Sequence, residues 1–321
     1  MKRFSSIAAL TAFLLTSAAC GNDSSSSSET TTPATALATT PATTTTPTTT
    51  PTTTPTTEVA PGAPQAIISL SPTHTEMLFA IGAADQIIAV DDQSNYPAEA
   101  LAKPHDLSGF EPNVEAIAEL QPDLVVIADD TKDLSGQLGK LGIEVWVGLA
   151  PATFDDVYAQ IEQLGATTGH IGEAAEVVGQ MQTDIADAIA AAPHPADPVS
   201  FYHELDPTLY SVTSNTFIGQ VYGLFGLVNV ADGVGDGNDY PQLSAEYIVS
   251  SNPDLIFLAD SKCCGASPDT VAARDGWGAT NAVTNGNVIS IDDDIASRWG
   301  PRLVDFVKAV SDAVAKVPAG T

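Results

Sequence analysis

The chain has 321 residues, with 40 acidic and 11 basic side chains and a formal net charge of −29. So acidic a chain lacks the clustered lysines and arginines that neutralise nucleic-acid phosphates or anionic lipid, and we exclude both as charge-driven partners. Three cysteines are too few for a fold held together by disulfides. An apolar content of 44% is enough for a sizeable core, and the length allows two domains.

The first twenty residues have the pattern of a bacterial export signal. Two basic residues precede an apolar run at residues 7–15, which is too short to span a bilayer. Small residues then lead into Cys20, and this stretch resembles the lipobox of bacterial lipoproteins, although Ser17 stands where those proteins usually have leucine. The resemblance implies a signal peptide at residues 1–19 and lipidation of Cys20. An ordinary secretory signal cut near Ala19 is the alternative.

Residues 20–65 are almost entirely serine, threonine, proline and alanine. Such a segment buries too little apolar area to offset the entropy of ordering it, so we expect a disordered stalk. Spaced prolines favour the extended polyproline II conformation, which gives the stalk a reach on the order of 100 Å at about 3.1 Å per residue. With a lipid at its end, the stalk predicts a folded body tethered to the extracytoplasmic face of the cell membrane.

The folded body is predicted to begin near residue 66 with a buried strand at residues 66–70. Pro72 suits the first turn of the helix that follows, Ser71 suits its N-cap, and Gly82 stops it. Apolar runs without a helical period indicate further buried strands, and short segments between them indicate helices. In chain order we expect a strand at 87–90, a helix at 113–120, a strand at 123–128, a helix at 134–141 and a strand at 144–147.

The pattern becomes alanine-rich and helical at residues 154–195, with glycines that indicate a break before one helix of roughly twenty residues. A second series of elements then fills residues 196–321. It comprises a strand at 199–202, helices at 216–227 and 244–250, strands at 254–258 and 288–291, and a helix at 301–317. Strands that alternate with helices in residues 66–153 and 196–321 predict an α/β protein of two lobes, each with a small parallel sheet. The long helix joins the lobes, and we expect a ligand cleft between them.

The two predicted lobes carry a similar segment. Glu115 and Glu246 each lie on a short helix that leads into a Pro-Asp pair and a buried strand. The order and spacing of these segments, with those at residues 68–76, 95–97 and 297–302, resemble one family of proteins. It is the helix-hinged periplasmic-binding-protein family for iron complexes, haem and cobalamin, whose members are the substrate-binding proteins of ABC importers. The likeness runs from about residue 66 to the C-terminus, and within the family it is greatest to vitamin B12-binding proteins.

The resemblance implies a role for several side chains. Glu115 and Glu246 fall where the family has a glutamate that docks into arginines of the permease dimer, and the alternative is a solvated charge at the start of a helix. Aromatic and charged residues on the expected cleft loops are the implied ligand contacts: Tyr96, Phe110, Tyr210, Tyr240, Asp294, Arg298 and Trp299. For the aromatic residues, packing in the core or in a loop is the alternative. For the charged residues of this segment, the alternative is a structural role, in which Arg302 forms a salt bridge with one of the neighbouring aspartates.

The resemblance predicts a monomeric transport protein rather than an enzyme, with a cobalamin-type corrinoid as its ligand and no other cofactor. A ferric siderophore or haem is the alternative ligand, because all three occupy broad clefts with flat apolar walls. The sequence contains no nucleophile elbow, phosphate-binding glycine loop or metalloprotease motif. The aspartate runs at 91–92 and 292–294 are therefore expected to be solvated or to cap helices. A zinc or manganese site formed by His74, His203 and Glu204 is a further alternative.

Cys263 and Cys264 are adjacent in a chain that we expect to be exported. In an oxidising compartment such a pair forms a disulfide between neighbours, links two chains, or stays as two buried thiols. No histidine lies near the pair in the sequence, which argues against a metal site. We predict the disulfide between neighbours, in a loop at the mouth of the cleft.

Overall fold

The computed structural model describes residues 62–193, 195 and 197–317. The predicted signal peptide, Cys20 and nearly all of the predicted stalk lie outside these residues. The described backbone forms two parallel sheets of four strands with helices around them, which confirms the α/β class and the two-sheet architecture. No helix of that part is long and apolar enough to cross a membrane.

The first sheet has the strand order β2-β1-β3-β4. Its strands are β1 (Ile67–Leu70), β2 (Ile87–Val90), β3 (Leu124–Ile127) and β4 (Glu144–Val147). Every residue of β1 and β3 is buried, and successive side chains of these strands join two different core clusters. Both faces of the sheet are therefore covered, which explains why its central strands are continuously apolar in sequence.

Three helices connect these strands. They are α1 (Pro72–Ala80), α2 (Val114–Glu119) and α3 (Leu134–Gly139). Ser71 caps α1 by accepting a hydrogen bond from the backbone N–H of His74, and Pro72 lies in the first turn. Gly82 follows the helix with a φ of 86°, a left-handed conformation that favours glycine. The predicted start and stop of α1 are confirmed.

Two helices follow the first sheet, α4 (Phe154–Thr168) and α5 (Ile171–Ala191). Thr153 and Asp156 form a capping box that begins α4, and Gly169, with a φ of 85°, ends it. The predicted break and the long helix after it are confirmed, since α5 has 21 residues. A stripe of small and apolar residues on α5 faces the core, and it consists of Ala174, Val178, Met181, Ile185 and Ala188.

The second sheet repeats the topology of the first, with the strand order β6-β5-β7-β8. Its strands are β5 (Ser200–Glu204), β6 (Val228–Asn229), β7 (Leu255–Leu258) and β8 (Val288–Ser290). The short edge strand β6 was not predicted. Because β3 and β7 occupy equivalent places, the similar Pro-Asp segments of the sequence correspond to one structural repeat.

Seven helices lie in the described part of the second half of the chain. They are α6 (Phe217–Gly223), α7 (Ala245–Ser251), α8 (Ser261–Cys264), α9 (Pro268–Ala272), α10 (Asn281–Thr284), α11 (Asp293–Ser297) and α12 (Leu303–Val314). Short 3-10 turns occur at Ala83–Gln86, Ala98–Ala102, Thr131–Asp133 and Trp277–Ala279. Of these elements, the sequence predicted the three longest helices, α6, α7 and α12.

One hydrophobic cluster runs through both halves of the described chain. It contains Ile67 and Leu124 of the first sheet, Phe201 and Phe257 of the second, and side chains of α4, α5 and α12. The hydroxyl of Ser311 on α12 also donates to the carbonyl of α5 residue 188 over 2.9 Å. The helices α5 and α12 therefore hold the two sheets on a common core, and the strand-end loops are left to build a site.

Candidate functional site

A cavity of about 420 Å³ lies where the strands of the first sheet end. We call it the larger cavity of the site, because a smaller one shares some of its lining residues. Ser71 follows β1, Asp91 follows β2, and Asp129 follows β3, and all three line it. The opposite wall comes from the other half of the chain, from Asp294 and residues 297–299. Loops at the carboxyl ends of parallel strands thus form the site, as expected for an open α/β sheet.

A smaller cavity of about 120 Å³ lies on the other side of residues 297–299. Phe217 and Ile218 of α6, Tyr240 and Leu303 contribute side chains to it, together with Pro151 after β4. Ser297, Arg298 and Trp299 line both cavities. The two cavities are therefore the two sides of one wall, and we call them together the cleft.

The guanidinium of Arg298 is bonded within the protein. Its Nη1 donates to Glu76 Oε1 and Asn95 Oδ1, each at 2.9 Å. Its Nη2 donates to Asp294 Oδ1 at 2.8 Å and to the carbonyl of Gln93 at 3.1 Å. These four contacts use all the Nη hydrogens, so Arg298 shapes the wall of the cleft and joins residues of the two halves. Arg298, an implied ligand contact, therefore has no Nη hydrogen left to donate to a ligand.

Glu76, which is buried, and Asp294, which is partly buried, complete this charged cluster. Glu76 on α1 also accepts from Arg302, at 2.9 Å from Nε and 2.5 Å from Nη2. The suggestion that Arg302 pairs with an aspartate is therefore wrong. Burial acts to raise the pKa of Asp294, but the charge of Arg298 and the hydrogen bond from Lys262 outweigh it and hold that pKa below its usual value. Asp294 is consequently an anion committed to protein cations.

Tyr96 does not line the cleft, and its predicted position there is wrong. Its ring lies 4.1 Å from the guanidinium carbon of Arg302, in a cation–π contact. Arg302 is itself held by hydrogen bonds to Glu76, so the Tyr96 ring that packs on it lies on the surface next to α1, α5 and α12. There it lines a separate groove of about 950 Å³. This groove is larger than the cleft but lies away from the strand ends.

Three of the predicted aromatic contacts do line the cleft. Phe110 is 79% exposed and borders the larger cavity, and Tyr240 is 48% exposed and borders the smaller one. Trp299 borders both cavities while its Nε1 donates to Gln160 Oε1 over 3.2 Å. Tyr210 is exposed but lines neither cavity, and its backbone forms an isolated bridge with Gln242. Three flat side chains are thus available to an apolar ligand.

Asp91 is a cleft residue whose environment the sequence did not reveal. It was expected to be solvated or to cap a helix, but it is buried, whereas its neighbour Asp92 is exposed. Burial raises the pKa of Asp91 to about 6, although a hydrogen bond from Ser94 acts in the opposite direction. The signal for Asp91 was its place directly after an apolar strand. This place does not by itself show that Asp91 is buried while Asp92 is exposed.

The alternative of a metal site at His74, His203 and Glu204 is wrong, because these residues have other partners. His74 contacts Ser71 and Gln160, and burial lowers its pKa to about 4. His203 contacts the hydroxyl of Tyr222 over 2.6 Å, and burial lowers its pKa to about 3. Glu204 accepts two hydrogen bonds from Arg274. Among the described residues, no group of three or more ligating side chains is placed to hold a metal.

Glu115 and Glu246 occupy equivalent positions in the two halves. Glu115 is the second residue of α2, after the capping residue Asn113, and Glu246 is the second residue of α7, after Ser244. Both glutamates are exposed. The helices α2 and α7 precede β3 and β7, so each glutamate lies on the same element of its half. Neither of them lines a cavity of the cleft.

Cys263 and Cys264 are joined in a disulfide between neighbours. They lie in the short helix α8 rather than in an irregular loop, and both residues are exposed. The helix is tied to the segment after β8, because Asp293 accepts hydrogen bonds from the backbone N–H of Lys262 and of Cys263. The disulfide does not line either cavity of the cleft, so its predicted place at the cleft mouth is not supported.

Known proteins are similar to this chain in sequence and in fold. A family model described as periplasmic binding protein matches residues 67–295. The chain is 30% identical over 259 residues to the ABC transporter substrate-binding lipoprotein YvrC of Bacillus subtilis, covering 78% of this chain and 80% of that protein. It is 30% identical over 263 residues to the vitamin B12-binding protein of Pectobacterium atrosepticum, covering 79% and 90%. The fold is similar to that of the periplasmic heme-binding protein RhuT from Roseiflexus sp. RS-1, with a TM-score of 0.69, 22% identity, and coverage of 79% and 98%.

Proposed function

The chain belongs to the periplasmic binding protein family, and from that premise we propose that it is the substrate-binding protein of an ABC importer and carries a cobalamin-type corrinoid. The relatives named above support the transport role, and one of them is named for vitamin B12. The choice of ligand rests on the charge of the cleft.

The cleft is acidic, and this observation carries the proposal. Among the described residues, the ionisable side chains that line the larger cavity are Asp91, Asp129, Asp294 and Arg298. The single arginine is bonded to Glu76 and Asp294 and offers no free Nη hydrogen. A ligand with exposed carboxylates or catecholates would bring like charges together without a free cation to receive them. A corrinoid suits such a wall, because its ring edge carries neutral amides.

The apolar contacts of the cleft suit a broad, flat ligand. Phe110 and Tyr240 lie on opposite sides of the wall that Trp299 helps to form. Aromatic side chains supply flat contact area at a small cost in conformational entropy. Phe110, at 79% exposed, leaves most of its ring available to be covered. A ligand that lay across residues 297–299 could contact all three aromatic rings.

Haem is the second candidate, and Tyr240 is the observation that favours it. Proteins hold haem iron through histidine, cysteine, methionine or tyrosine side chains. Of these residue types, only Tyr240 lines either cavity among the described residues. His74 and His203 are buried beneath the surface and cannot reach a ligand without unfolding their surroundings. A haem would also place its two carboxylates against an acidic cleft.

Direct binding tests the proposal. Calorimetric titration with cyanocobalamin should give a dissociation constant in the micromolar range or below, and haem and a ferric catecholate siderophore should bind more weakly. The variant Tyr240→Phe should keep corrinoid binding, since the ring remains, but should lose haem binding if the hydroxyl ligates iron. Absence of corrinoid binding together with tight haem binding that Tyr240→Phe abolishes would transfer the assignment to haem. Binding of neither would exclude both ligands.

The equivalent placement of Glu115 and Glu246 supports the delivery step. We assign them to docking on the permease, one glutamate for each half of a two-fold partner. Both are exposed and separate from the cleft, so they can be engaged while ligand is bound. The lipid anchor at Cys20 and the stalk, inferred from sequence, would keep the protein near the membrane that holds the permease.

A further inference from the structure

A chain of buried polar groups lies beneath the floor of the larger cavity. The hydroxyl of Ser69 contacts the carbonyl of Ser71 at 3.3 Å and the hydroxyl of Thr75 at 2.8 Å. Thr75 contacts the hydroxyl of Ser94 at 2.8 Å, and Ser94 contacts Asp91 Oδ1 at 2.5 Å. All five residues are at most 2% exposed. Asp91 is the end of the chain that borders the cleft.

The hydrogens of this chain can be counted. It has four contacts, but the three hydroxyl groups of Ser69, Thr75 and Ser94 supply only three hydrogens. A proton on Asp91 Oδ1 supplies the fourth. In the protonated form each group donates to the next in one direction, from Asp91 to Ser94 and onward to the carbonyl of Ser71. In the anion Ser94 instead donates to Asp91, and the contact between Thr75 and Ser94 is the one that lacks a hydrogen. The neutral acid therefore satisfies every contact, whereas the anion leaves one of them without a hydrogen.

The second oxygen of Asp91, Oδ2, lies beside Gly109 at the border of the larger cavity, although the residue as a whole is only 1% exposed. No donor from another described residue reaches Oδ2. A Cβ at Gly109 would lie 2.7 Å from this oxygen and 2.6 Å from the carbonyl oxygen of Leu70. Any residue other than glycine at position 109 would thus press against both acceptors and cover them. Leu70, Asp91, Gly109 and Phe110 all line the larger cavity, so the two acceptor oxygens lie next to an exposed aromatic ring.

The charges around Asp91 favour a neutral acid at mildly acidic pH. Burial raises its pKa to about 6, and the neighbouring carboxylate of Asp92 acts in the same direction. From the opposite wall, the positive charge of Arg298 lowers it. That charge is shared with Glu76 and Asp294, which are both bonded to the same guanidinium. Asp91 is therefore poised between its two protonation states.

We propose that Asp91 determines the ligand specificity of the cleft: Oδ1 completes the buried hydroxyl chain, and Oδ2 accepts a hydrogen bond from a primary amide at the edge of the ligand. Oδ2 is an acceptor in both protonation states, so it matches an amide N–H and opposes a carboxylate at the same place. The opposition grows when Asp91 ionises. This inference rests on the proposed function, because it names the part of a corrinoid that Asp91 recognises.

The test compares two ligands that differ in one group. Cyanocobalamin and its monocarboxylic acids, in which one side-chain amide is hydrolysed, are titrated into the full chain at pH values above and below 6. At the higher pH, the wild-type protein should bind the amide form at least about tenfold more tightly than the acid whose carboxylate meets Asp91, since a like-charge contact replaces a charge-assisted hydrogen bond. The preference should shrink below the pKa of Asp91.

Three variants separate the roles of Asp91. Asp91→Asn mimics the neutral acid, and it should bind cyanocobalamin about as well as the wild type at low pH but lose most of the discrimination and its pH dependence. Asp91→Ala removes the acceptor, and it should weaken cyanocobalamin binding about five- to tenfold. Asp92→Asn is the matched control, because it removes the same charge from an exposed neighbour: it should keep the affinity and the discrimination at the higher pH, and it should only move the pH dependence slightly downward, since Asp92 helps to raise the pKa of Asp91. Wild-type discrimination in Asp91→Asn would overturn the inference.

A ligand-free measurement distinguishes failure of this inference from failure of the proposed function. Infrared difference spectra between the wild type and Asp91→Asn should show a carboxylic acid C=O band that disappears as pH rises through about 6. Absence of that band would overturn the protonated chain, whatever the ligand. If the band is present but the wild type binds no corrinoid, the proposed function fails and the ligand assignment of Asp91 fails with it.

Discussion

Glu76 is a buried carboxylate whose replacement should destabilise the described fold through the loss of its charge. Its side chain is 1% exposed, and it receives one N–H from Arg298 and two from Arg302, whose side chains are 10% and 13% exposed. Glu76→Gln keeps the shape but removes the anion from between two buried cations. Arg298 retains Asp294, whereas Arg302 retains only the ring of Tyr96 among its contacts described above. Leaving a buried charge without its partner costs about 3–5 kcal/mol, and we expect a loss of that size.

Urea unfolding followed by tryptophan fluorescence measures this loss. Glu99→Gln is the matched control. Glu99 lines the same 950 Å³ groove as Glu76 but is exposed, so its replacement should change the free energy of unfolding by at most about 0.5 kcal/mol. Replacing Arg302 with methionine in the Glu76→Gln background should recover part of the loss, since the unpaired cation is then removed. A Glu76→Gln protein within about 1 kcal/mol of wild type would show that the cluster is hydrated or rearranges, and the reasoning would be refuted.

Three further outcomes are expected. The pKa of Asp91 rises from 3.8 to about 6 on folding, so the protonated carboxyl stabilises the folded state at low pH and this stabilisation is lost as the pH rises through 6. Relative to wild type, the free energy of unfolding of Asp91→Asn should therefore increase by up to about 3 kcal/mol between pH 4 and pH 7, which parallel urea titrations measure. Reducing the Cys263–Cys264 disulfide should move the melting temperature little, since it closes no chain loop beyond adjacent residues; a large fall would contradict this. Replacing Glu115 and Glu246 together with alanine should leave corrinoid affinity and stability unchanged but abolish uptake in cells, with smaller losses for each single variant; normal uptake by the double variant would disprove the docking role.

The sequence predicted the elements whose stability is decided locally. The strands β1 and β3 are continuous apolar runs because both of their faces are covered, so composition alone identifies them. Helix α1 has its cap, its proline and its terminating glycine within twelve residues of sequence, 71–82. The edge strand β6 has two residues and no distinctive pattern, so nothing in the sequence marked it.

The cleft could be predicted only in part, because its decisive contacts join distant segments. Arg298 and Glu76 are 222 residues apart, and no local pattern shows that they meet. Glu76 also explains why the position of Tyr96 was predicted wrongly. The ring of Tyr96 packs on Arg302, and Arg302 is held in place by its hydrogen bonds to Glu76. The resemblance to the family indicated Phe110, Tyr240 and Trp299 as cleft residues, and all three line one or both cavities. It could not show which charges are already paired within the protein.

The charged cluster also determines how a ligand meets the cleft. Residues 297–299 form the wall between the two cavities, and Arg298 fixes that wall to Glu76 and to the carbonyl of Gln93 in the other half. A ligand that displaced Arg298 would uncover a buried glutamate, at a cost that few contacts could offset. A ligand must therefore fit the wall without moving it, because the Nη hydrogens of Arg298 are already bonded and Asp91 Oδ2 is the carboxylate oxygen there that receives no donor from another described residue. Such preorganisation reduces the entropy lost on binding and places selection on the polar edge of the ligand.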